Sequence, residues 1–135
     1  MLRLTIPAHV SRLTEFCAFV RQGAEAAGLA DSQKDQLDLI LEELFMNIAR
    51  HAYAPGEGDV EVGYVANPGS LQVRVSDAGR AFNPLAADPP DFSVPLADRP
   101  IGGMGIFLVR TLAGSLQYQR EGGHNQVSFV FPAGA

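Results

Sequence analysis

Residues 39–53 of the chain read LILEELFMNIARHAY, and their apolar residues have the spacing of an amphipathic helix. Leu44 and Ile48 belong to the apolar face, while Glu43 and Asn47 stand four residues apart at its border. At about 100° per residue, the two polar side chains lie about 40° apart, so they can point together into a cleft beside the core. An isolated Glu-x-x-x-Asn pair is more often a solvated contact, and only other features of the chain can favour the cleft.

The helix that contains this stretch is predicted to begin at a capping box of Ser32 and Asp35 and to end at the Pro-Gly pair 55–56. Two elements are predicted before it. Alternating apolar residues over 2–6 indicate a short strand, and apolar residues at helical spacing over 11–27 indicate a first helix.

A hairpin and a long loop are predicted after this helix. Residues 60–64 and 71–75 alternate between apolar and polar types, and Asn-Pro-Gly at 67–69 joins them, which indicates an antiparallel hairpin. Residues 80–102 then hold five of the nine prolines and show no sustained period. Such a long irregular segment in a small domain is usually functional or mobile, and we expect it to act as a lid.

The last part of the chain predicts a glycine-led helix and two further strands, near 115–120 and 126–131. The resulting order β-α-α-β-β-α-β-β favours an α+β two-layer sandwich, in which helices cover one face of a mixed, mostly antiparallel sheet. Residues 1–135 have the length of one domain, and we expect a single domain.

Composition excludes several classes of partner. Ten basic and fifteen acidic residues give a net charge of -5 without a Lys/Arg cluster, which argues against nucleic-acid and anionic-membrane surfaces. Cys17 is the only cysteine, so neither an internal disulfide nor a cysteine-based metal site is expected, and its apolar setting predicts burial. The chain shows neither a signal-peptide pattern nor about eighteen consecutive apolar residues, so we expect a soluble, cytoplasmic protein.

Asp77, Ala78 and Gly79 stand where the second strand of the hairpin ends. An acidic side chain at such a position either caps a turn or faces a ligand. The turn cap is the commoner outcome, so Asp77 becomes a candidate binding residue only in combination with other features.

Gly102, Gly103 and Gly105 cluster at the start of the third helix. Glycines let backbone amides approach an anion closely, and the dipole of a helix favours negative charge at its start. The segment is not a Walker A loop, because the only lysine, Lys34, lies on the second helix. A phosphate bound here would need another positive charge, and a magnesium ion held by the Asn47 carbonyl oxygen would supply it.

Three segments in this order and spacing resemble the N, G1 and G2 boxes of the GHKL ATPase/kinase superfamily, which has the Bergerat ATP-binding fold. The segments are EELFMNIARHAY (42–53), SDAGRAFNP (76–84) and IGGMGIFLVR (101–110). The short chain, the ending HAY and the segment DRPIGGMGIFLVR look most like the bacterial anti-sigma-factor serine kinases. The resemblance covers nearly the whole chain.

The resemblance implies ATP and Mg²⁺ as cofactors and assigns a role to each candidate residue. Asn47 would bind the magnesium between the ATP phosphates. Asp77 would accept a hydrogen bond from the adenine amino group, and Gly79 would shape the adenine pocket. Gly103 and Gly105, together with the neighbouring Gly102, would approach the phosphates as the lid closes.

The same resemblance makes Glu43 the catalytic general base, which would orient a serine or threonine hydroxyl of a partner protein for attack on the γ-phosphate. Glu42 is the second choice for this role. Arg80 and Arg99 flank the lid and are within possible reach of phosphate oxygens, but solvated loop arginines are commoner and neither is assigned a role.

Two features depart from the family pattern. The final box, usually Gly-Thr before the last strand, would fall near HNQVSF, where Asn125 and Gln126 stand instead. No histidine-containing dimerisation helix is recognised, so histidine autophosphorylation is not expected. His9, His51 and His124 are given no catalytic role.

Two functions are therefore carried forward from the sequence. The first is an ATP-dependent serine/threonine protein kinase and anti-sigma factor that phosphorylates an anti-sigma-factor antagonist and switches between this antagonist and a sigma factor. The alternative is a nucleotide-gated regulatory module that sequesters a partner without phosphoryl transfer. A homodimer is an expectation taken from the family alone.

Overall fold

The structure is a computed structural model, and it describes residues 1–53, 56–86, 93 and 103–134. Segments that alternate between apolar and polar residues form its strands: β1 (Leu2–Pro7), β2 (Asp59–Asn67), β3 (Ser70–Asp77), β4 (Gly114–Glu121) and β5 (His124–Phe131). Segments with apolar residues at helical spacing form its helices: α1 (Leu13–Ala26), α2 (Asp31–Asn47) and α3 (Gly103–Leu112).

The strands form a sheet in the order β1-β2-β3-β5-β4, and each neighbouring pair is antiparallel. Burial alternates along β3 and β5, because successive side chains of a strand point to opposite faces of the sheet. One face is therefore apolar and covered, and the other carries the more exposed side chains. In this register, Asp77 at the end of β3 lies opposite Asn125 near the start of β5.

The core lies between the apolar face of the sheet and the helices. Phe16 of α1 and Phe45 of α2 are fully buried, and their ring centroids lie 4.9 Å apart. Helix α1 also packs on β2 and β3, and α2 lies between α1 and α3. Because α2 is packed on both sides, the side chains at its border have a well-defined position.

The predicted α+β fold, with helices on one face of the sheet, is confirmed. The sheet differs in one respect from the expected mixed sheet, since all its described strand pairs are antiparallel. That residues 1–135 form one domain with a lid at about 80–102 stays a prediction. Of the lid, the described residues are 80–86 and 93, with a 3₁₀ turn at Pro84–Ala86, and the others lie outside the described residues.

Two local predictions were wrong. Helix α2 does not begin at a Ser32 capping box, because the backbone N–H of Ala30 donates to Gln33 Oε1 at 2.8 Å and starts the helix at Asp31. Cys17 is half-buried rather than buried. Its partial burial and the nearby carboxylates of Asp38 and Glu42 raise the pKa of its thiol to about 12.

No helix within the described part of the chain has the length and apolar character that crossing a bilayer requires.

We expect Gly23→Ala to destabilise the fold, although alanine usually stabilises a helix interior by about 0.5–1 kcal/mol relative to glycine. A Cβ at position 23 would lie 2.5 Å from Cδ1 of Tyr64 and 2.9 Å from Cδ1 of Leu71. Overpacking of this kind costs about 1–3 kcal/mol. Urea unfolding would measure the change in the free energy of unfolding.

The matched control for this prediction is Gln22→Ala, which introduces the same residue at an exposed position one residue earlier on α1. Surface substitutions usually change stability by less than about 0.5 kcal/mol, so this variant should unfold like the wild type. Equal or greater stability of Gly23→Ala would contradict the packing described for α1 on β2 and β3.

Candidate functional site

A cavity lies between α2 and the neighbouring ends of β3 and β5. The space between its walls, counted together with the part that is open to solvent, is about 360 Å³. Two predicted site residues, Asn47 and Asp77, line this cavity together with Asn125. The other lining residues are apolar: Leu44, Ile48, Ala52, Val75, Phe82, Pro84 and Val127. Apolar walls with a few polar groups are typical of a small-molecule binding site.

Asp77 is buried at the end of β3, with 7% of its surface exposed. Its Oδ1 accepts a hydrogen bond from the backbone N–H of Gly79 at 2.9 Å and another from Nδ2 of Asn125 at 3.0 Å. Both bonds end on the same oxygen, so Oδ2 keeps its acceptor capacity for a donor on a ligand. The turn-cap and ligand-binding interpretations of Asp77 are therefore compatible, because each needs a different oxygen.

Gly79 lies where the turn after β3 meets the chain that follows α2. A Cβ at this position would lie 2.3 Å from the carbonyl oxygen of Ala52 and 2.6 Å from its Cβ. The backbone N–H of Arg80 donates to the same carbonyl at 2.9 Å. Only glycine permits such a close backbone approach. Gly79 therefore brings the turn against Ala52, one of the residues that line the cavity.

Helix α2 does not continue as a regular α-helix through the motif. Ile48–Ala52 form a π-helical turn directly after Asn47, whereas the sequence predicted one helix up to the Pro-Gly pair at 55–56. π-helical turns are rare and occur frequently at functional sites. Ile48 and Ala52, the first and last residues of this turn, both line the cavity.

Tyr53, the last residue of the HAY motif, connects the π-helical turn to the sheet. Its hydroxyl accepts a hydrogen bond from the backbone N–H of Ala78 at 2.8 Å and donates one to the carbonyl oxygen of Asp59 at 2.5 Å. A Cβ at Gly58 would lie 2.1 Å from the Tyr53 ring, so glycine is required there. Tyr53 thus holds the turn that follows Asp77.

Glu43 lies one turn before Asn47 on α2 and is half-buried. Burial raises the pKa of its carboxyl, while the charge of Arg50 and a hydrogen bond from the Asn47 side chain act in the opposite direction. A raised pKa makes a carboxylate a better proton acceptor near neutral pH. Glu42, the second choice for the catalytic role, is exposed. The environment of Glu43 is thus the more suitable one for a general base.

The glycine cluster is described only in part. Gly103 and Gly105 lie in the first turn of α3, so the helix includes them, and α3 packs beside α2. Gly102 lies outside the described residues, as does Arg99. Arg80 is exposed, and its described hydrogen bonds are made by its backbone.

Sequence reasoning missed Asn125, which was noted only as a departure from the family pattern. Asn125 is 4% exposed and makes hydrogen bonds with Asp77 and with four other residues: Arg80, Phe82, Tyr118 and Arg120. A signal for its position was present in the alternation of Asn125, Val127, Phe129 and Phe131. This pattern places Asn125 on the apolar face of the sheet.

Phe82 is a second residue that sequence reasoning missed. It lines the cavity, and its ring centroid lies 5.2 Å from that of His51. Its backbone N–H donates to Oδ1 of Asn125 at 3.3 Å. His51 therefore has a packing contact at the edge of the site, although the sequence assigned it no catalytic role.

We expect Glu43→Gln to raise the free energy of unfolding at neutral pH. The pKa of Glu43 is raised in the folded protein, so the native state is less stable once this group ionises. The loss develops as the pH rises from the ordinary value of 4.5 through the raised pKa. Glutamine cannot ionise, so the advantage of the variant should grow across this window. Urea unfolding at several pH values would measure it.

The control is Glu42→Gln, which removes the same charge from an exposed neighbouring position. It should change the free energy of unfolding by less than about 0.5 kcal/mol at any pH in the series. A difference between Glu43→Gln and the wild type that stays constant with pH would show that ionisation of Glu43 is not its cause.

Comparisons with known proteins identify the family of this chain. The family model described as the histidine kinase-like ATPase domain matches residues 6–131. The serine-protein kinase RsbW of Bacillus mycoides (strain KBAB4) is 25% identical over 130 residues, covering 90% of this chain and 79% of that protein. The serine-protein kinase RsbW of Bacillus cereus (strain AH187) is 27% identical with the same coverage.

Two solved structures share the fold. The histidine kinase domain from the Erythrobacter litoralis EL346 blue-light activated histidine kinase has a TM-score of 0.56 and 19% identity, covering 94% of this chain and 61% of that one. The Acinetobacter baumannii histidine kinase AdeS has a TM-score of 0.51 and 12% identity, covering 100% of this chain and 70% of that one. The resemblance seen in the three sequence motifs is confirmed, and the chain belongs to the family of histidine kinase-like ATPase domains.

Proposed function

We propose that this chain is an ATP-dependent serine/threonine protein kinase and anti-sigma factor, which phosphorylates an anti-sigma-factor antagonist in a partner-switching system. The observation that carries the proposal is the arrangement around one apolar cavity. Asn47 and Asp77 line it, and Glu43 lies one helical turn before Asn47 on α2, where burial raises the pKa of its carboxyl. The relatives named serine-protein kinase support a hydroxyl as the phosphate acceptor.

In this proposal, the cavity binds the adenine ring of ATP. Its apolar walls would pack on the two faces of the base, and Oδ2 of Asp77 would accept a hydrogen bond from the 6-amino group. Gly79 acts indirectly, because it allows the turn after Asp77 to lie against Ala52. The base would thereby be held between α2 and the sheet.

The phosphates would lie between Asn47 and the first turn of α3. The amides near Gly102, Gly103 and Gly105 would approach them, as the start of a helix favours an anion. The described residues contain no group of three or more His, Cys, Asp or Glu side chains that could hold a metal ion. Asn47 still fits Mg²⁺, which usually keeps several waters and needs few protein oxygens besides those of the phosphates. When bound, Mg²⁺ would neutralise phosphate charge.

Glu43 would act as the general base. Its carboxylate would accept the hydrogen bond of a serine or threonine hydroxyl of the partner and orient this oxygen towards the γ-phosphate. Asn47 follows Glu43 by one turn of α2, so the residue proposed to serve the phosphates and the proposed base would stand side by side on one helix. Helix α2 would therefore set the distance between the nucleotide and the acceptor.

The partners in this proposal are proteins. An anti-sigma-factor antagonist would receive the phosphate, and a sigma factor would be the second partner. The net charge of -5 argues against nucleic acid and anionic membranes as ligands. We further propose a cytoplasmic setting, a single ATP-binding domain over 1–135 with its lid at about 80–102, and a homodimer.

We expect Glu43→Gln to lower phosphoryl transfer from ATP to a cognate antagonist by about 100-fold or more, the typical contribution of a general base. Its affinity for ATP should stay close to the wild-type value, because Glu43 does not contact the nucleotide in this proposal. Asn47→Ala should weaken ATP binding in the presence of Mg²⁺. Radiolabelled ATP would measure the transfer, and calorimetric titration would measure the binding.

The matched control is Glu42→Gln, which should transfer phosphate at the wild-type rate. Transfer that is equally low in both variants, or unaffected in Glu43→Gln, would remove Glu43 from the catalytic role. ATP binding without any transfer by the wild type would favour the alternative function, a nucleotide-gated module that sequesters its partner. If ATP binds to no form of the protein, both functions are wrong.

We expect Gly79→Ala to lose ATP affinity by about 10-fold or more, because displacing the turn from Ala52 moves the Asp77 carboxylate. Gly69→Ala is the control for general destabilisation. Gly69 has a φ of +78° and open space around it, so alanine is strained there without meeting a neighbour. The control should lose stability by about 1 kcal/mol and retain ATP affinity. Equal affinity losses in both variants would contradict the role of Gly79.

A further inference from the structure

Asn125 is one of the few buried polar residues in the described part of the chain, with 4% of its surface exposed. It lies on the apolar face of β5, directly opposite Asp77 of β3. A buried amide is costly unless its donors and acceptor are all paired. The partners of these hydrogen bonds therefore indicate the role of Asn125 in the fold.

The donor side of Asn125 is bonded to Asp77 and to the start of the long loop. Its Nδ2 donates to Oδ1 of Asp77 at 3.0 Å and to the carbonyl oxygen of Arg80 at 2.7 Å. An amide nitrogen has two N–H groups, so both donors are used. One of them holds the carboxylate of Asp77, and the other holds the backbone where the long loop begins.

The acceptor side faces β4 and the same loop. Oδ1 of Asn125 accepts from the hydroxyl of Tyr118 at 2.6 Å, from Nη1 of Arg120 at 3.1 Å and from the backbone N–H of Phe82 at 3.3 Å. Arg120 also donates to the carbonyl oxygen of Gly79 at 2.7 Å, which connects this side to the turn after Asp77. Donors surround the amide oxygen and acceptors surround the nitrogen, so the amide has one orientation.

This arrangement decides which oxygen of Asp77 is available to a ligand. Oδ1 is taken by Asn125 and by the backbone of Gly79, and these two donors together fix the plane of the carboxylate. Asp77 lines the cavity, and these two bonds leave its Oδ2 in a defined position. An acceptor in that position attracts a purine with a 6-amino group and repels one with a 6-oxo group.

We propose that Asn125 is a positioning residue that sets the purine selectivity of this site by holding the Asp77 carboxylate in one orientation. The inference rests on the proposed ATP-binding function and extends it to a residue that contacts Asp77 rather than the nucleotide. Asn125 holds the Asp77 carboxylate with one N–H donor. Its other hydrogen bonds connect it to β4 and to the start of the loop.

Asn125→Asp is the most direct test, because it keeps the acceptor oxygen and replaces only the nitrogen donor. The new oxygen would oppose Oδ1 of Asp77, so the carboxylate should leave its orientation. Calorimetric titration with ATP and with inosine triphosphate, which has an oxygen at position 6, would give the ratio of the two affinities. We expect this ratio to favour ATP in the wild type and to fall by about 10-fold or more in the variant.

Two control variants separate this effect from charge and from folding. Gln126→Glu adds the same charge one residue further along β5, on the opposite face of the sheet, and should leave the ratio unchanged. Tyr118→Phe removes the bond to Oδ1 and leaves the bond to Asp77 intact. It should lower the free energy of unfolding and also leave the ratio unchanged. Asn125→Ala, which adds no charge and has no side-chain donor, should reproduce the fall in the ratio if Asn125→Asp does not fold.

The outcomes are distinct. A fall of the ratio in the Asn125 variants alone supports the inference. An unchanged ratio in these variants, or an equal fall in Tyr118→Phe or Gln126→Glu, overturns it while the proposed function stands. A wild-type protein that binds neither nucleotide overturns the proposed function and the inference together.

Discussion

The hydrogen bond from Asn125 to Asp77 joins β5 to β3 at the point where the sheet borders the cavity, and the geometry of the site depends on it. Both residues are buried, so the bond between Nδ2 of Asn125 and Oδ1 of Asp77 replaces hydrogen bonds that the two groups would otherwise make with water. The same Asp77 oxygen holds the turn at Gly79, and this turn touches Ala52 after α2. One chain of contacts thus connects two strands and the helix across the cavity.

Helix α2 contributes to both the core and the site. Its apolar face packs between α1, α3 and the sheet, and Glu43 and Asn47 stand at the border of that face. A site built on a packed helix holds its side chains more accurately than a loop would. The π-helical turn Ile48–Ala52 then brings the chain to the turn after β3. Asn47 therefore lines the cavity, and Glu43 lies one helical turn before it.

Apolar residues repeat every two residues in a buried strand and about every 3.6 residues in a helix. These two patterns were sufficient to predict the order of the strands and helices along the chain, because they reflect which faces are buried. Ser32 did not predict the start of α2 correctly. The Gln33 side chain accepts a hydrogen bond from the backbone N–H of Ala30, and the helix begins at Asp31. The sequence did not predict the π-helical turn at Ile48–Ala52, because the spacing of its apolar residues resembles that of an α-helix. Asn125 was visible as an inward position of β5, but its role depends on a partner distant in sequence, Asp77, which no local pattern reveals.

In the proposed function, one cavity binds ATP through Asn47 and Asp77. A crystal structure of the protein with Mg²⁺ and a non-hydrolysable ATP analogue would test it most directly. We expect the adenine 6-amino group to lie within hydrogen-bond distance of Oδ2 of Asp77 and the Asn47 carbonyl oxygen to coordinate the metal. Nucleotide bound elsewhere, or bound here with Asp77 turned away from the base, would contradict it.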